Sequence, residues 1–140
     1  MKLSEHIDLR ELVSSGVYLL RGDSAVSLID SRLPIILERI RELCGNRTMT
    51  LNDWHIGGRF QLRGYRPPGS TVGATKSMHK LGKAADFTIK GMSAEGVRGV
   101  IRLNQVELMK LGLTRIERGV SWVHIDLKHT GLDTIYEFNP

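Results

Sequence analysis

The chain has 140 residues, of which 41% are hydrophobic, and a formal net charge of +5 at pH 7. This length suits one domain with a modest core, and no apolar run approaches the ~18 residues that cross a membrane. A single cysteine, Cys44, excludes an internal disulfide. The first residues contain no apolar signal-like segment, so we expect synthesis in the cytoplasm without a signal peptide. We also expect a monomer.

Two helices are predicted in the first third of the chain. Residues 4–14 form the first, and the second extends to about Leu43, with Pro34 in its first turn and Asp30 or Ser31 as its cap. Its apolar positions recur at helical spacing, at Leu33, Ile36, Leu37, Ile40, Leu43 and Cys44. Its water-facing side is expected to carry Glu38, Arg39, Arg41 and Glu42.

Two strands are predicted next, over residues 49–54 and 58–64, because apolar and polar side chains alternate in the second. A stiff loop with two prolines follows at 65–69. Arg66 in this loop is a candidate for holding a carboxylate or polarising a carbonyl, and an ordinary surface arginine is an equally open reading. Residues 69–76 are rich in Gly, Ser and Thr and are expected to line a binding cleft.

The chemistry of the chain is concentrated in two short segments, residues 77–86 and 121–126. The first contains His79 and Asp86, and the second contains His124. Asp86 lies in an apolar run, 84–89, that is predicted to be a strand, where a carboxylate is costly unless it is paired or bound to a metal. Two histidines and one carboxylate form the protein ligand set of a catalytic zinc, with a fourth position left for water. We therefore expect a Zn²⁺ site.

The last third is predicted to contain one helix and three strands. The helix starts at Ser93 and extends to about Lys110, with Val97, Val100, Ile101, Val106 and Met109 as its buried stripe. Strands are predicted over 114–117 and 121–128, with a further short strand in the tail at 130–140. The resulting class is α+β, a single domain over residues 1–140 with helices packed on a mostly antiparallel sheet.

These segments resemble a known family. The pattern Ser-x-His-x-x-Gly-x-Ala-x-Asp, present at residues 77–86, and the later Trp-x-His at 122–124 resemble the zinc D-Ala-D-Ala carboxypeptidases and L-Ala-D-Glu endopeptidases. Residues 3–12 and 64–68 resemble the corresponding parts of phage and bacterial members, so the resemblance covers most of the chain. It implies the fold shared with the hedgehog signalling domain.

The resemblance also implies an activity. Members hydrolyse peptidoglycan stem peptides, so the expected protein is a zinc peptidase, such as a phage lysis enzyme (endolysin), that acts on the cell wall once released. Zinc would lower the pKa of a bound water toward about 7 and polarise the scissile carbonyl. The candidate substrate contacts are Arg66, Ser77 and Trp122. For Ser77, a role in a turn or as a helix cap is an equally supported alternative to substrate contact.

The chain differs from the family at the positions of the general base. Many relatives carry Glu three residues before the last histidine, and some carry His two before, where this chain has Ser121 and Trp122. Glu117 and Asp126 are the nearby carboxylates. With a two-residue hairpin turn, Glu117 would pair with Val120 and lie roughly 13 Å along the strand from the last histidine, and a wider turn would bring it nearer. Glu117 is the predicted acid/base, and Asp126 the supporting residue.

Two other functions compete with the peptidase. The changes at Ser121 and Trp122 also suit a catalytically impaired zinc module that recognises cell-wall peptides. The positive charge alone suggests nucleic acid, but the basic residues are scattered and only 6% of residues are aromatic. We therefore expect no nucleic-acid partner and no membrane partner.

Overall fold

A computed structural model describes residues 1–140 and has α+β architecture, as the sequence predicts. The helices are α1 (Ser15–Arg21), α2 (Arg32–Leu43), α3 (Ala94–Leu103) and α4 (Gln105–Leu111). The strands are β1 (Met49–Thr50), β2 (Ala84–Ile89), β3 (Arg115–Glu117), β4 (Val123–Asp126) and β5 (Tyr136–Phe138). No helix is both long enough and apolar enough to span a lipid bilayer.

The five strands form one mixed sheet in the order β1-β2-β4-β3-β5. Neighbouring strands are antiparallel except β3 and β5, which are parallel. Alternate residues of the central strands, such as Phe87 and Ile125, are fully buried in the core, which α2 and α3 cover. The residues between them point to the other face, which is where Asp86, His124 and Glu117 lie side by side. The sheet thus separates the core from a polar site.

Helix α2 begins where the sequence predicts. Ser31 is its N-cap residue, and the Asp30 carboxylate accepts a hydrogen bond from the Arg32 amide at 3.0 Å. The prediction that Glu38 faces water is wrong. Its side chain is buried beneath the N-terminal segment. The carboxylate is satisfied there by hydrogen bonds from the Ser4 hydroxyl at 2.8 Å and the His6 amide at 2.6 Å.

The predicted helix over residues 4–14 is replaced by a 3-10 turn at Leu9–Glu11, followed by α1. Asp8 causes the difference, because its carboxylate caps the turn at the Arg10 amide while Glu11 reaches back to the Asp8 amide. An isolated bridge between Lys2 and Asp8 also keeps the chain before the turn out of a helix.

The strands predicted over 49–54 and 58–64 are largely absent. Only β1 is a strand, and Trp54–Ile56 forms a 3-10 turn. Asp53 organises the loop that follows, since its carboxylate accepts the Phe60 amide at 2.8 Å. Residues 58–64 contain no strand, although the Arg63 carbonyl accepts the Asp86 amide of β2 at 2.7 Å.

The helix predicted from Ser93 to Lys110 is divided at Asn104 into α3 and α4. Ser93 caps α3 by accepting the Gly96 amide at 3.0 Å, as expected. The Asn104 side chain donates to the Val100 carbonyl at 2.8 Å, and such local bonds compete with the regular helical pattern. Val106, predicted to be buried, is 69% exposed. Helix α4 is a separate helix, and it is Leu108 that it buries in the core.

The strands predicted over 114–117, 121–128 and 130–140 are present but shorter, as β3, β4 and β5. The link between β3 and β4 is the main difference, since the register pairs Glu117 with His124. Five residues, 118–122, therefore lie outside the strands, where a tight turn would leave two.

Candidate metal centre

His79, Asp86 and His124 form a buried cluster at the centre of the polar face of the sheet. One donor atom from each lies within 4.8 Å of the others, and this group is the one in the structure with the geometry to hold a metal ion. Asp86 and His124 are register partners on β2 and β4, which explains how residues 38 positions apart meet. The predicted ligand set is therefore brought together.

His79 is supplied by a 3-10 turn, Met78–Leu81, that precedes β2. Ser77 caps this turn by accepting the His79 amide at 3.2 Å, so its capping role is present in the structure. Gly82 ends the turn with a φ of 67°, and a Cβ there would lie 1.8 Å from the Leu28 carbonyl oxygen. Glycine is therefore required both for the backbone conformation and for the close approach.

The ring of His79 has a defined orientation. Its Nδ1–H donates to the Gly64 carbonyl at 2.8 Å, which leaves Nε2 facing Oδ1 of Asp86 at 3.3 Å. A backbone carbonyl on the far nitrogen is the usual partner of a metal-binding histidine, because it selects the tautomer that leaves the other nitrogen free.

His124 lies between two carboxylates. Its Nδ1 is 2.8 Å from Oδ1 of Asp86, and its Nε2 is 2.8 Å from Oδ2 of Asp126. Burial lowers the pKa of His124, but the hydrogen bonds to these carboxylates outweigh burial and raise the pKa to about 9. The protonated ring thus links the carboxylates, and a cation at Nδ1 would take the place of one proton.

Asp126 is fully buried and faces His124. Arg115 binds it with two hydrogen bonds of 2.8 and 2.7 Å. Burial raises the pKa of Asp126, but its bonds to His124 and Arg115 prevail and hold that pKa below its usual value. A charged Asp126 keeps the Nε2–H of His124 in place, whichever partner Nδ1 has.

Arg66 is buried and reaches the same cluster from the loop at 65–69. Its Nη2–H donates to Oδ2 of Asp86 at 3.1 Å and its Nε–H to the Leu62 carbonyl at 2.8 Å. Burial raises the pKa of Asp86, but the hydrogen bonds to His124 and His79 lower it by more. The pKa of Asp86 therefore lies well below its usual value. Asp86 is thus a charged candidate ligand whose second oxygen is held by Arg66.

The donor set fits a metal ion. Three orientated donors converge, the negative charge of Asp86 is available, and each ring has a partner on its far nitrogen. Two imidazoles and a carboxylate suit zinc and also other divalent transition metals. Comparisons with known protein families, curated proteins and solved structures found no match for this chain. The donor chemistry therefore supports a divalent-metal site without singling out zinc.

The cluster lies at the base of a cleft of about 680 Å³. The side chains that line the cleft also include Lys76, Ser77, Glu117, Trp122, Lys128 and Phe138. Trp122 is 38% exposed, and the ring of Phe138 packs edge-on against His124 with 5.6 Å between centroids. The cleft is large enough for part of a peptide, with the three candidate ligands accessible from it.

Glu117 lies directly opposite His124 on the neighbouring strand. Opposed residues of antiparallel strands have Cα atoms about 4.5–5.5 Å apart and side chains on one face. The tight two-residue turn, which would impose a distance of roughly 13 Å, does not occur. The five-residue link is the wider alternative, and its register brings Glu117 near His124. Glu117 and Asp126 both line the cleft.

Sequence reasoning missed two residues that support the cluster, Arg115 and Phe138. Arg115 could have been found from the alternation of β3, because it lies two residues before Glu117 on the same face. Its guanidinium also lies over the ring of Phe138, 4.2 Å from the centroid. Phe138 comes from β5, whose parallel pairing with β3 has no local signal in the sequence.

Proposed function

We propose that this protein is a zinc-dependent peptidase that hydrolyses peptidoglycan stem peptides, either as a carboxypeptidase or as an endopeptidase of the phage lysis type. The observation that carries the proposal is the buried His79–Asp86–His124 group at the base of an open cleft. The resemblance of residues 77–86 and 122–124 to the zinc D-Ala-D-Ala carboxypeptidases and L-Ala-D-Glu endopeptidases supplies the substrate class. A hedgehog/DD-peptidase-like fold is part of the proposal and is compatible with the α+β architecture.

His79, Asp86 and His124 would hold the zinc ion, which supplies Lewis-acid activation of water and of the scissile carbonyl. The residues around them keep the donors in place. Gly64 orients the ring of His79 through its carbonyl, and Asp126 orients His124. These partners reduce the reorganisation needed when substrate binds.

Glu117 is the proposed general base. Its place opposite His124 supports this role, because a carboxylate there faces the cleft beside the ligands. The Glu117 carboxylate would accept a proton from the attacking water and deliver it to the leaving amide nitrogen. Asp126 is the proposed positioning residue, since its two oxygens are already engaged by Arg115 and His124.

Substrate contacts are proposed for Arg66, Ser77 and Trp122, which all line the cleft. Arg66 has two of its guanidinium nitrogens engaged by Leu62 and Asp86, and Nη1 remains to meet a substrate carbonyl. The exposed face of Trp122 offers an apolar surface to a peptide side chain.

The test is digestion of purified sacculi by the zinc-loaded chain, with products identified by mass spectrometry. Soluble muropeptides or released D-Ala support the proposal, and the product identifies the bond cut. Absence of new termini at every zinc concentration, with the metal demonstrably bound, would contradict it. The Glu117→Gln variant is the matched control, because it preserves the three ligands.

A second function is a zinc module that binds cell-wall peptides without cutting them. The occurrence of Ser121 and Trp122, where relatives carry acid/base residues, favours this alternative. Tight sacculus binding by both the wild type and Glu117→Gln, with no new termini from either, would support it.

A further inference from the structure

A second groove, defined by Ser14, Gln61 and the arginines Arg59 and Arg63, adjoins the metal cluster. Its volume is about 580 Å³, and Arg66 and Asp86 line both this groove and the main cleft. The Arg66–Asp86 ion pair is therefore a shared wall of the two cavities. The other four residues, Ser14, Arg59, Gln61 and Arg63, have no role in the site described above.

The charges of the groove do not balance. Its lining contains three guanidinium groups and one carboxylate, and that carboxylate, Asp86, is paired with Arg66. Arg59 and Arg63 form no ion pair. The nearby Asp53 uses an oxygen to accept the Phe60 amide. The lining of the groove is therefore net positive, and neither Arg59 nor Arg63 has a carboxylate in direct contact.

Arg63 is held in place by contacts that leave part of its guanidinium free. Its amide donates to the Asn52 side chain at 2.9 Å, and its Nη1–H donates to the Thr50 carbonyl at 3.1 Å. The guanidinium lies over the ring of Phe60, 3.6 Å from the centroid. Burial holds the pKa of Arg63 below its usual value, although Asp86 and Asp53 act against that shift.

Neutral donors accompany the two arginines. The Gln61 carbonyl oxygen accepts the amide and the hydroxyl of Ser15, at 3.0 and 2.6 Å, which leaves the two N–H groups of Gln61 available. The Ser14 oxygen accepts the Val17 amide, and its own hydrogen remains free to donate. An arginine held in one orientation, such as Arg63, beside neutral donors is a usual recognition element for carboxylate and phosphate groups.

We propose that the groove formed by Ser14, Arg59, Gln61 and Arg63 binds an oxyanion, a carboxylate or phosphate group, next to the metal cluster. Because Arg66 and Asp86 line both cavities, the bound anion would lie beside side chains of the metal cluster. The proposal rests on the basic lining of the groove and on the held guanidinium of Arg63, and it does not depend on the proposed peptidase activity.

The test is an NMR titration of the ¹⁵N-labelled 140-residue chain, treated with chelator, at low ionic strength. Acetate represents the carboxylate source, inorganic phosphate the phosphate source, and acetamide is the neutral control. We expect saturable shifts in residues 59–63 with at least one anion and none with acetamide. The anion that binds more tightly identifies the source.

Variants separate this groove from general surface charge. Arg63→Gln should weaken anion binding at least about tenfold, as expected when a charged hydrogen bond is lost. Arg59→Gln, at an exposed position, should weaken it about two- to fivefold and tests the proposal if Arg63→Gln fails to fold. Lys110→Gln, an exposed charge change on α4, should leave it unchanged.

Three results would overturn the proposal. One is the absence of saturable shifts with either anion. Another is an equal loss of binding in Lys110→Gln, which would indicate net charge alone. The third is a set of shifts confined to the neighbours of His79 and His124, which would place the anion at the metal cluster. Turnover is not measured, so failure of the peptidase proposal would not change the outcome.

Discussion

At the scale of single residues, the cluster is defined by how each buried charge is satisfied. Asp86 meets His79, His124 and Arg66, and Asp126 meets His124 and Arg115. A buried carboxylate is expensive unless it is paired or hydrogen-bonded. In this chain every oxygen of both carboxylates has a partner, so the donors remain orientated before any ion or substrate arrives.

The two carboxylates near His124 should respond differently to amide substitution. Glu117→Gln should keep zinc and lose turnover about 10²- to 10⁴-fold, because a general base is removed while the ligands are untouched. Asp126→Asn should lower zinc affinity about 10- to 100-fold, because the partner that orients His124 is weakened. Chelator competition and turnover at saturating zinc measure the two effects separately. If Glu117→Gln stays fully active while Asp126→Asn loses turnover but not zinc, the roles are reversed.

Arg66→Ala should affect the metal as well as the substrate. From the sequence alone, Arg66→Ala is expected to keep zinc and the fold and to weaken turnover or peptide binding. Loss of an oxyanion donor typically raises the barrier by about 2.7–4 kcal/mol. Because Arg66 donates to Asp86 at 3.1 Å, we now also expect weaker zinc binding, by about 10- to 100-fold. Chelator competition gives the affinity, and kinetics at saturating zinc give the remaining effect. Arg21→Ala, at an exposed arginine of α1, is the control. Unchanged affinity and kinetics would show that Arg66 has neither role.

At the scale of elements, the start of α2 is tied to the segment that carries the first motif. Asp30 accepts hydrogen bonds from Arg32 at 2.8 Å and from the Lys83 ammonium at 2.8 Å, and its amide donates to the Gly82 carbonyl. The turn that supplies His79 therefore packs against a helix of the core, and its position depends on that helix.

The stability of this link should depend on pH. The hydrogen bond from Arg32, with that from Lys83, holds the pKa of Asp30 well below its usual value despite burial. A carboxyl with a depressed folded-state pKa stabilises the fold above its unfolded pKa of about 3.9, and that contribution is lost as the pH falls toward the folded value. Asp30→Asn should therefore cost about 1 kcal/mol at pH 7, and the difference should shrink at pH 3.

Urea denaturation of the wild type and Asp30→Asn at the two pH values measures this effect. Asp133→Asn is the matched control, because Asp133 is exposed and forms no ion pair. A difference between wild type and Asp30→Asn that is the same at pH 7 and pH 3 would assign the cost to packing instead of charge.

At the scale of the whole molecule, the sheet joins the core to the candidate metal centre. Phe87 and Asp86 are neighbours on β2, and their side chains face the core and the cluster respectively. An ion bound to three residues from the turn, β2 and β4 would therefore link parts of the chain that are far apart in sequence. Metal binding should stabilise the entire fold.

We expect about one zinc per chain and a higher melting temperature with zinc than with chelator. Binding to the folded state alone adds about 4.1 kcal/mol to the free energy of unfolding when free zinc is 1,000 times Kd. His79→Ala and His124→Ala should lose both the metal and the zinc-dependent rise, while His129→Ala, at an exposed histidine outside the cluster, should keep them. Elemental analysis and thermal melts measure the two quantities. Carefully prepared wild-type protein that binds no metal would contradict the central expectation.

The sequence alone identified the features that depend on local patterns. Its periodicity and caps predicted α2, β2 and the start of α3, and the α+β class followed from the order of elements. The meeting of the three candidate ligands was also predictable, because a carboxylate such as Asp86 inside an apolar strand needs a compensating partner. The glycine of the first motif, Gly82, ends the turn between His79 and β2.

The tertiary structure decided which distant groups meet. The register of β3 and β4 depends on the width of the link at 118–122, and this register places Glu117 opposite His124. The partners of buried charges are equally non-local: Glu38 is covered by the N-terminal segment, and Arg115 is bound to Asp126. Strand register and charge pairing are set by competition among all possible partners in the folded chain, so a local pattern cannot determine them.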